Sequence, residues 1–159
     1  MSGETPKKLF VGLGTNLGNR RENLARARQE LKLDCKRILA SSTMETEPVG
    51  INSSKKFLNQ VVLMENHRFE TAVSALKRLL SVEVMMGRDR AKNKPDRIID
   101  LDLLYFGEVI RKGHPTVPHP RLHQRRFVLE PLTEIAPSFI HPIKKKSQQE
   151  LLKLLLEKS

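Results

Sequence analysis

The stretch Asp96-Arg-Ile-Ile-Asp-Leu-Asp-Leu-Leu-Tyr-Phe-Gly107 narrows the possible folds of this chain more than any other segment. Large apolar residues crowd a run of strand length that ends on glycine, which predicts a buried β-strand. Two carboxylates, Asp100 and Asp102, interrupt it. Residues two apart on a strand project to the same face, roughly 6.5 Å apart along the chain. Ile98, Leu104 and Phe106 are predicted on that face and Ile99, Leu101 and Leu103 on the other. Like charges on a buried face repel and are costly to desolvate unless a multivalent cation sits between them. Oxygen-only ligands favour hard Mg²⁺, which takes one or two carboxylates plus substrate phosphates. A pair of surface aspartates on a half-solvated strand is the plainer alternative, and the apolar company on both faces argues against it.

The rest of the chain is basic. Lys and Arg number 29 against 18 Asp and Glu, a net charge of +11, which implies an anionic partner. Nucleic acid, a membrane surface and a phosphorylated small molecule all qualify. One Tyr, no Trp and six Phe leave few platforms for stacking bases, which favours the small phosphorylated ligand. At 159 residues a single domain over 1–159 is expected. Cys35 is alone, so neither an internal disulfide nor a thiolate metal cluster can form. No apolar signal region follows MSGETPKK and no run reaches membrane-spanning length, so a cytoplasmic protein is expected.

Hydrophobic periodicity orders the elements. Leu9 to Leu13 predicts a strand that runs into the turn Gly14-Thr-Asn-Leu-Gly18. Asn19 with Glu22 opens an amphipathic helix to about Leu33. Ile38 to Thr46 and Phe57 to Glu65 predict two further strands, and Thr71 to Met86 a helix stopped by Gly87. Arg88 to Arg97 is a basic loop, followed by the aspartate strand. The prolines after it predict no long regular element until the capping box Ser147-x-x-Glu150 opens a terminal helix. The order β-α-β-β-α-β is that of an α+β, ferredoxin-like core: an antiparallel sheet with helices packed on it.

Several residues have chemistry to offer. GLGTNLG lacks the Lys-Ser/Thr of a phosphate-binding loop, and a tight strand-to-helix turn accounts for much of it. Phe57 and Asn59 share a strand face, an arrangement that suits a flat heterocycle, although Phe on a strand is usually core. The cations of Arg88 to Arg97 directly precede the carboxylate strand, where with Mg²⁺ they could neutralise a polyphosphate. His119, between prolines and followed by Arg121 and Arg125, is a candidate for touching an anion.

In order, GLGTNLGNRRENL, SSTMETEPVG, FLNQVV, MGRDR, DRIIDLDLLYFG, VPHPRLHQRRFVLEPL and EIAP resemble the 6-hydroxymethyl-7,8-dihydropterin pyrophosphokinases of folate biosynthesis, from about Leu9 to Pro142. The resemblance implies Mg²⁺-dependent transfer of diphosphate from ATP to the hydroxymethyl group of a reduced pterin, with release of AMP. It implies that Asp100 and Asp102 hold two Mg²⁺ ions, with Arg88 and Arg97 assisting catalysis. Phe57 and Phe127 match the positions that sandwich the pterin and Asn59 the amide that reads its polar edge, with Thr46, Val49 and Gly50 assisting. Glu83, Arg88, Arg90, Arg97, His119 and Arg125 match ATP-site positions. The expected partners are ATP and the pterin, with no nucleic acid or membrane, and the expected state is a monomer. No residue is an obvious general base.

The match departs in the loop before the aspartates. Family members typically carry Arg-Trp-Gly-Pro-Arg there, whereas Lys92-Asn-Lys-Pro-Asp-Arg97 lacks the Trp and is one residue shorter. Met44 replaces a usual Tyr. The alternatives are a paralogue that keeps the pterin pocket with weakened transfer, and a basic ferredoxin-like RNA-binding module. The second lacks an RNP-type Gly-Phe-x-Phe sequence, and its paired aspartates would repel a nucleic-acid backbone.

Overall fold

The computed structural model describes residues 8–48, 50–92 and 94–159, apart from the side chain of Arg90. Among these, strands β1 (Lys8–Thr15), β2 (Arg37–Ala40), β3 (Met44–Thr46), β4 (Phe57–Glu65) and β5 (Asp100–Phe106) form one antiparallel sheet. Both β2 and β3 pair with β4, so together they hold one strand position. The order β2/β3–β4–β1–β5 is that of a ferredoxin-like core, with β1 and β4 central.

The helices begin where local chemistry satisfies their free N–H groups. Helix α1 (Arg20–Lys32) starts at Asn19, whose Oδ1 accepts from Glu22 N at 3.1 Å. Helix α2 (Ala72–Met85) is boxed by Thr71 and Ser74, and Gly87 follows at φ +102°. Helix α4 (Gln148–Glu157) has the Ser147–Glu150 box expected from the sequence. Helices α1 and α2 cover one sheet face, burying Leu24, Leu31, Leu79 and Val82 with Leu9, Val11, Leu101 and Leu103. Helices α3 (Arg126–Ile135) and α4 cover part of the other, burying Leu129, Leu132 and Leu151 with Phe10, Leu63, Leu104 and Tyr105.

Four sequence expectations need correction. First, β1 continues through Gly14 and Thr15, so Gly14 belongs to the strand and not to the turn. Second, Ile38–Thr46 is broken at residues 41–43, where the register against β4 slips by one residue. Ser42 is drawn aside there by the Glu134 carboxylate, to which it donates both N–H (2.9 Å) and Oγ–H (2.7 Å). Third, the proline-rich region contains the ten-residue α3 with Pro131 inside it. Pro131 forfeits one backbone hydrogen bond, offset by burial of Val128, Leu129, Pro131 and Leu132. Fourth, Leu104 shares the aspartate side of the sheet, but Phe106 and Ile98 pack in the opposite layer. An irregularity between Phe10 and Val11 shifts the register beyond Leu103 by one residue and exchanges the face of Phe106, whereas Ile98 precedes β5 and does not follow its alternation.

Candidate active site

The central strand β1 sets up the site. Gly12 pairs with Asp102 of β5 and Val61 of β4, and Gly14 pairs with Asp100 and Asn59. Directly opposed residues share a sheet face, so carboxylates on one side and a carboxamide on the other flank two positions without side chains. Over this face lies a cavity of about 630 Å³, lined by Gly12, Gly14, Thr46, Gly50, Phe57, Asn59, Arg97, Asp100, Asp102, Arg125 and Phe127 among others. Phe57 opens β4 and Phe127 stands in the first turn of α3, so the two rings reach the cavity from different layers.

Asn59 is held rigidly. Its Nδ2 donates to Met44 O at 3.0 Å and to Thr46 Oγ1 at 2.8 Å, which leaves Oδ1 as the acceptor presented over Gly14. At the other end, burial together with the negative charge of Asp100 pushes the Asp102 carboxyl up to about 6, against the pull of Arg125 and Arg88. Asp100 is neutralised by guanidinium groups: Arg88 Nη1 lies 2.6 Å from its Oδ1 and Arg97 Nη1 3.5 Å from its Oδ2. The donor set fits a hard divalent ion. Among the described residues no third His, Cys, Asp or Glu completes a cluster, so further ligands would come from phosphate and water.

A second cavity of about 330 Å³ adjoins the first through Arg97 and is lined by Arg88, Asp89, Lys92, Lys94 and Asp96 among others. A ring-sized, partly apolar space that holds a pair of carboxylates thus meets a strongly basic one at Arg97, the partner of Asp100.

Known proteins with this arrangement are readily found. The family described as 7,8-dihydro-6-hydroxymethylpterin-pyrophosphokinase (HPPK) matches residues 10–137. The chain belongs to this family. The 2-amino-4-hydroxy-6-hydroxymethyldihydropteridine pyrophosphokinase of Aquifex aeolicus is 35% identical over 145 residues, covering 89% of this chain and 88% of that protein. The folic acid synthesis protein fol1 of Schizosaccharomyces pombe is 32% identical over 149 residues, covering 92% of this chain. The chain spans only 20% of that longer relative. Among solved structures, Plasmodium falciparum HPPK-DHPS superimposes with a TM-score of 0.75 at 13% identity, covering 98% of this chain and 45% of that one. At that identity the likeness speaks for the HPPK fold alone.

Most residues that the HPPK resemblance singled out converge. Thr46, Gly50, Phe57, Asn59, Phe127, Arg97, Arg125, Asp100 and Asp102 line the larger cavity, and Arg88 and Arg97 line the smaller. The Arg125 guanidinium lies 5.6 Å from the Phe127 ring centroid, bracing that ring from one side. Val49 and the Arg90 side chain lie outside the described residues.

Two residues matched to the ATP site lie outside the lining of both cavities. Glu83 is buried and lines neither cavity. Its Oε2 accepts from Arg88 Nη1 at 3.0 Å and from Leu101 N at 2.7 Å, so it positions Arg88 and the start of β5. His119 is also absent from the lining of either cavity. Burial and the nearby charges of Arg125 and Arg121 push its imidazole down to about 4. Its Nδ1 accepts from Arg121 N at 3.1 Å, so the proton of the neutral ring sits on Nε2. In the ligand-free protein His119 is therefore a neutral donor.

Sequence reasoning passed over Glu47, Ile51, Gln60, Gln124 and Arg126 at the rim of the larger cavity. Nothing in their local pattern marks them. It also passed over Asp96, which joins Asn16, Ser53 and Lys55 and so ties the basic loop to two others.

Proposed function

We propose that this HPPK-family protein transfers a diphosphate from ATP to 6-hydroxymethyl-7,8-dihydropterin with release of AMP, in folate biosynthesis, and that two Mg²⁺ ions serve it. The observation that carries this reading is that the ring-sized cavity, which holds Asp100 and Asp102, shares Arg97 with the adjoining basic one.

The pterin lies between Phe57 and Phe127 and directs its N–H-bearing edge at Asn59 Oδ1. Its hydroxymethyl arm then points along β1 toward the carboxylates. The triphosphate runs across Arg97 into the cavity of Arg88, Lys92 and Lys94. Bound between Asp100 and Asp102, the metal ions would supply Lewis acidity toward the phosphates and the attacking oxygen. The protein's own groups do the rest. Arg88 and Arg97 exchange their hold on Asp100 for the phosphates, absorbing charge as it moves toward the departing AMP. Thr46 and Met44 O keep the Asn59 amide from rotating, so the ring is held in one orientation and the hydroxyl stands in line with the β-phosphorus.

The test is pterin-dependent consumption of ATP in the presence of Mg²⁺, compared with excess chelator and with Asp100→Ala and Asp102→Ala. Folded variants are expected to lose about 3 to 5 kcal/mol of transition-state stabilisation, two to four orders of magnitude in rate. Near-normal turnover in either variant, or turnover indifferent to the pterin, removes the assignment. Residue charge favours this reading over RNA binding, because Asp100 and Asp102 line the same cavity as Arg97 and Arg125.

A further inference from the structure

We propose that Gly12 and Gly14 form the floor of the ring subsite and determine its specificity for a flat acceptor, by letting the ligand lie directly against the β1 backbone between Asn59 and the Asp100–Asp102 edge. This inference rests on the pterin reading above and adds two residues that the chemistry itself does not require.

Glycine weakens a strand interior, and β1 is the centre of the sheet. Two glycines two apart on such a strand call for a reason. Conformation does not supply it. The positive-φ glycines among the described residues are Gly18, Gly50, Gly87, Gly107 and Gly113, so Gly12 and Gly14 hold ordinary strand geometry open to any residue. Crowding does not supply it either. A Cβ on Gly12 would meet Leu104 at 3.6 Å and Asp102 Cβ at 3.8 Å, ordinary contact distances. A Cβ on Gly14 would stand 3.4 Å from Asn59 Oδ1 and 3.7 Å from Phe57 Cδ1, which the fold can accept.

What those two methyl groups would occupy is the cavity. Both glycines line it, and the added carbon at Gly14 would sit against the acceptor oxygen of Asn59 and the edge of the Phe57 ring. A ring bound there would be lifted from the floor by about the thickness of a methyl group. It could then keep either its hydrogen bond to Asn59 or its place between Phe57 and Phe127, but not both. At Gly12 the methyl would narrow the passage beside Asp102 through which the acceptor's arm reaches the metal edge. Close approach of a ligand to bare backbone is the remaining use of glycine in a strand.

The experiment measures stability and binding on the same samples. Gly14→Ala is compared with wild type for thermal midpoint, for binding of 6-hydroxymethylpterin by its fluorescence, and for binding of a non-hydrolysable Mg²⁺–ATP analogue. The expected result is an unchanged or raised midpoint with pterin Kd weakened at least about tenfold and nucleotide Kd changed less than about twofold. A merely structural glycine gives the opposite pattern, a lowered midpoint with pterin binding kept in the folded fraction, and that overturns the proposal. If Gly14→Ala does not fold, Gly12→Ala is read in the same way, and failure of both to fold assigns the glycines to packing and overturns it too. Wild-type protein that binds no pterin sinks the underlying function and this inference with it. Normal wild-type binding with equal binding by Gly14→Ala overturns this inference alone.

Discussion

Asp102 carries the tension of the site in one carboxyl group. Burial and the charge of Asp100 raise it to about 6 from an ordinary value near 4, so the folded state holds its proton longer than the unfolded chain does. A raised acid contributes stability that is lost as pH rises through that interval. Without metal, Asp102→Asn should therefore be more stable than wild type at pH 7, by about 1 to 2 kcal/mol after allowance for solvent screening, and equal to it near pH 4. Chemical unfolding with chelator at both pH values checks this; equal stability at pH 7 would contradict it. His141 shows the reverse sign. Burial and the neighbouring His123 and Lys144 lower it to about 4, and its Nδ1 accepts from Ile143 N and Lys144 N at 3.2 and 3.1 Å. The neutral ring thus contributes stability above pH 6.5 that is lost as pH falls toward 4. His141→Asn, which can still accept those N–H groups, should flatten the pH dependence of unfolding between 6.5 and 4. An unchanged slope would show that His141 is not its source.

At the scale of elements, the loop ahead of β5 is fastened at its C-terminal end. Ser53 Oγ donates to Asp96, as does Asn16 Nδ2 at 3.1 Å, while Arg97 N donates to Asn16 Oδ1 at 2.6 Å. Asp96 therefore links the turn after β1, the segment before β4 and the basic loop. The Ser53 hydrogen bond, foremost among several contacts, holds its carboxyl below the usual range. Asp96→Ala should speed amide hydrogen exchange in residues 50–56 and 88–97 together and leave β4 and β5 unchanged; a response confined to one loop would rule out the link. Such links show where a sequence stops being legible. The caps at Asn19 and Ser147 and the aspartate pair were readable, because each depends on residues a turn or a pleat apart. The break at residues 41–43 depends on Glu134, far along the chain, and the face exchange at Phe106 depends on an irregularity against β1. The burial of Glu83 against Arg88 and Leu101 N is likewise a tertiary fact that no local pattern announces. Gly14 was read as turn because nothing local distinguishes a glycine that bends the chain from one that leaves room above it.

For the whole molecule, a net charge of +11 coexists with an acidic pair in the larger cavity, beside the Arg97 that it shares with the smaller. In the proposed function Lys92, Lys94 and Arg97 hold the phosphates only through screened charge, without the large apolar anchor that a Trp would supply. ATP binding should accordingly weaken as ionic strength rises from 0.05 to about 0.5 M, since the Debye length shrinks from about 14 Å to about 4 Å. Pterin binding, which the proposed function rests on ring contacts and Asn59, should change little. Calorimetric titration of each ligand across that range separates the two, and equal salt sensitivity would mean that the sites are not divided in this way. In the proposed function the triphosphate is laid from Asp100 and Asp102 across Arg97, and attack falls on its β-phosphorus. The most direct measurement is the product set after incubation with ATP, Mg²⁺ and 6-hydroxymethyl-7,8-dihydropterin. Attack at the β-phosphorus yields AMP and a pterin diphosphate in equal amounts, and ADP with a pterin monophosphate, or no pterin-dependent product, would contradict the geometry proposed for this site.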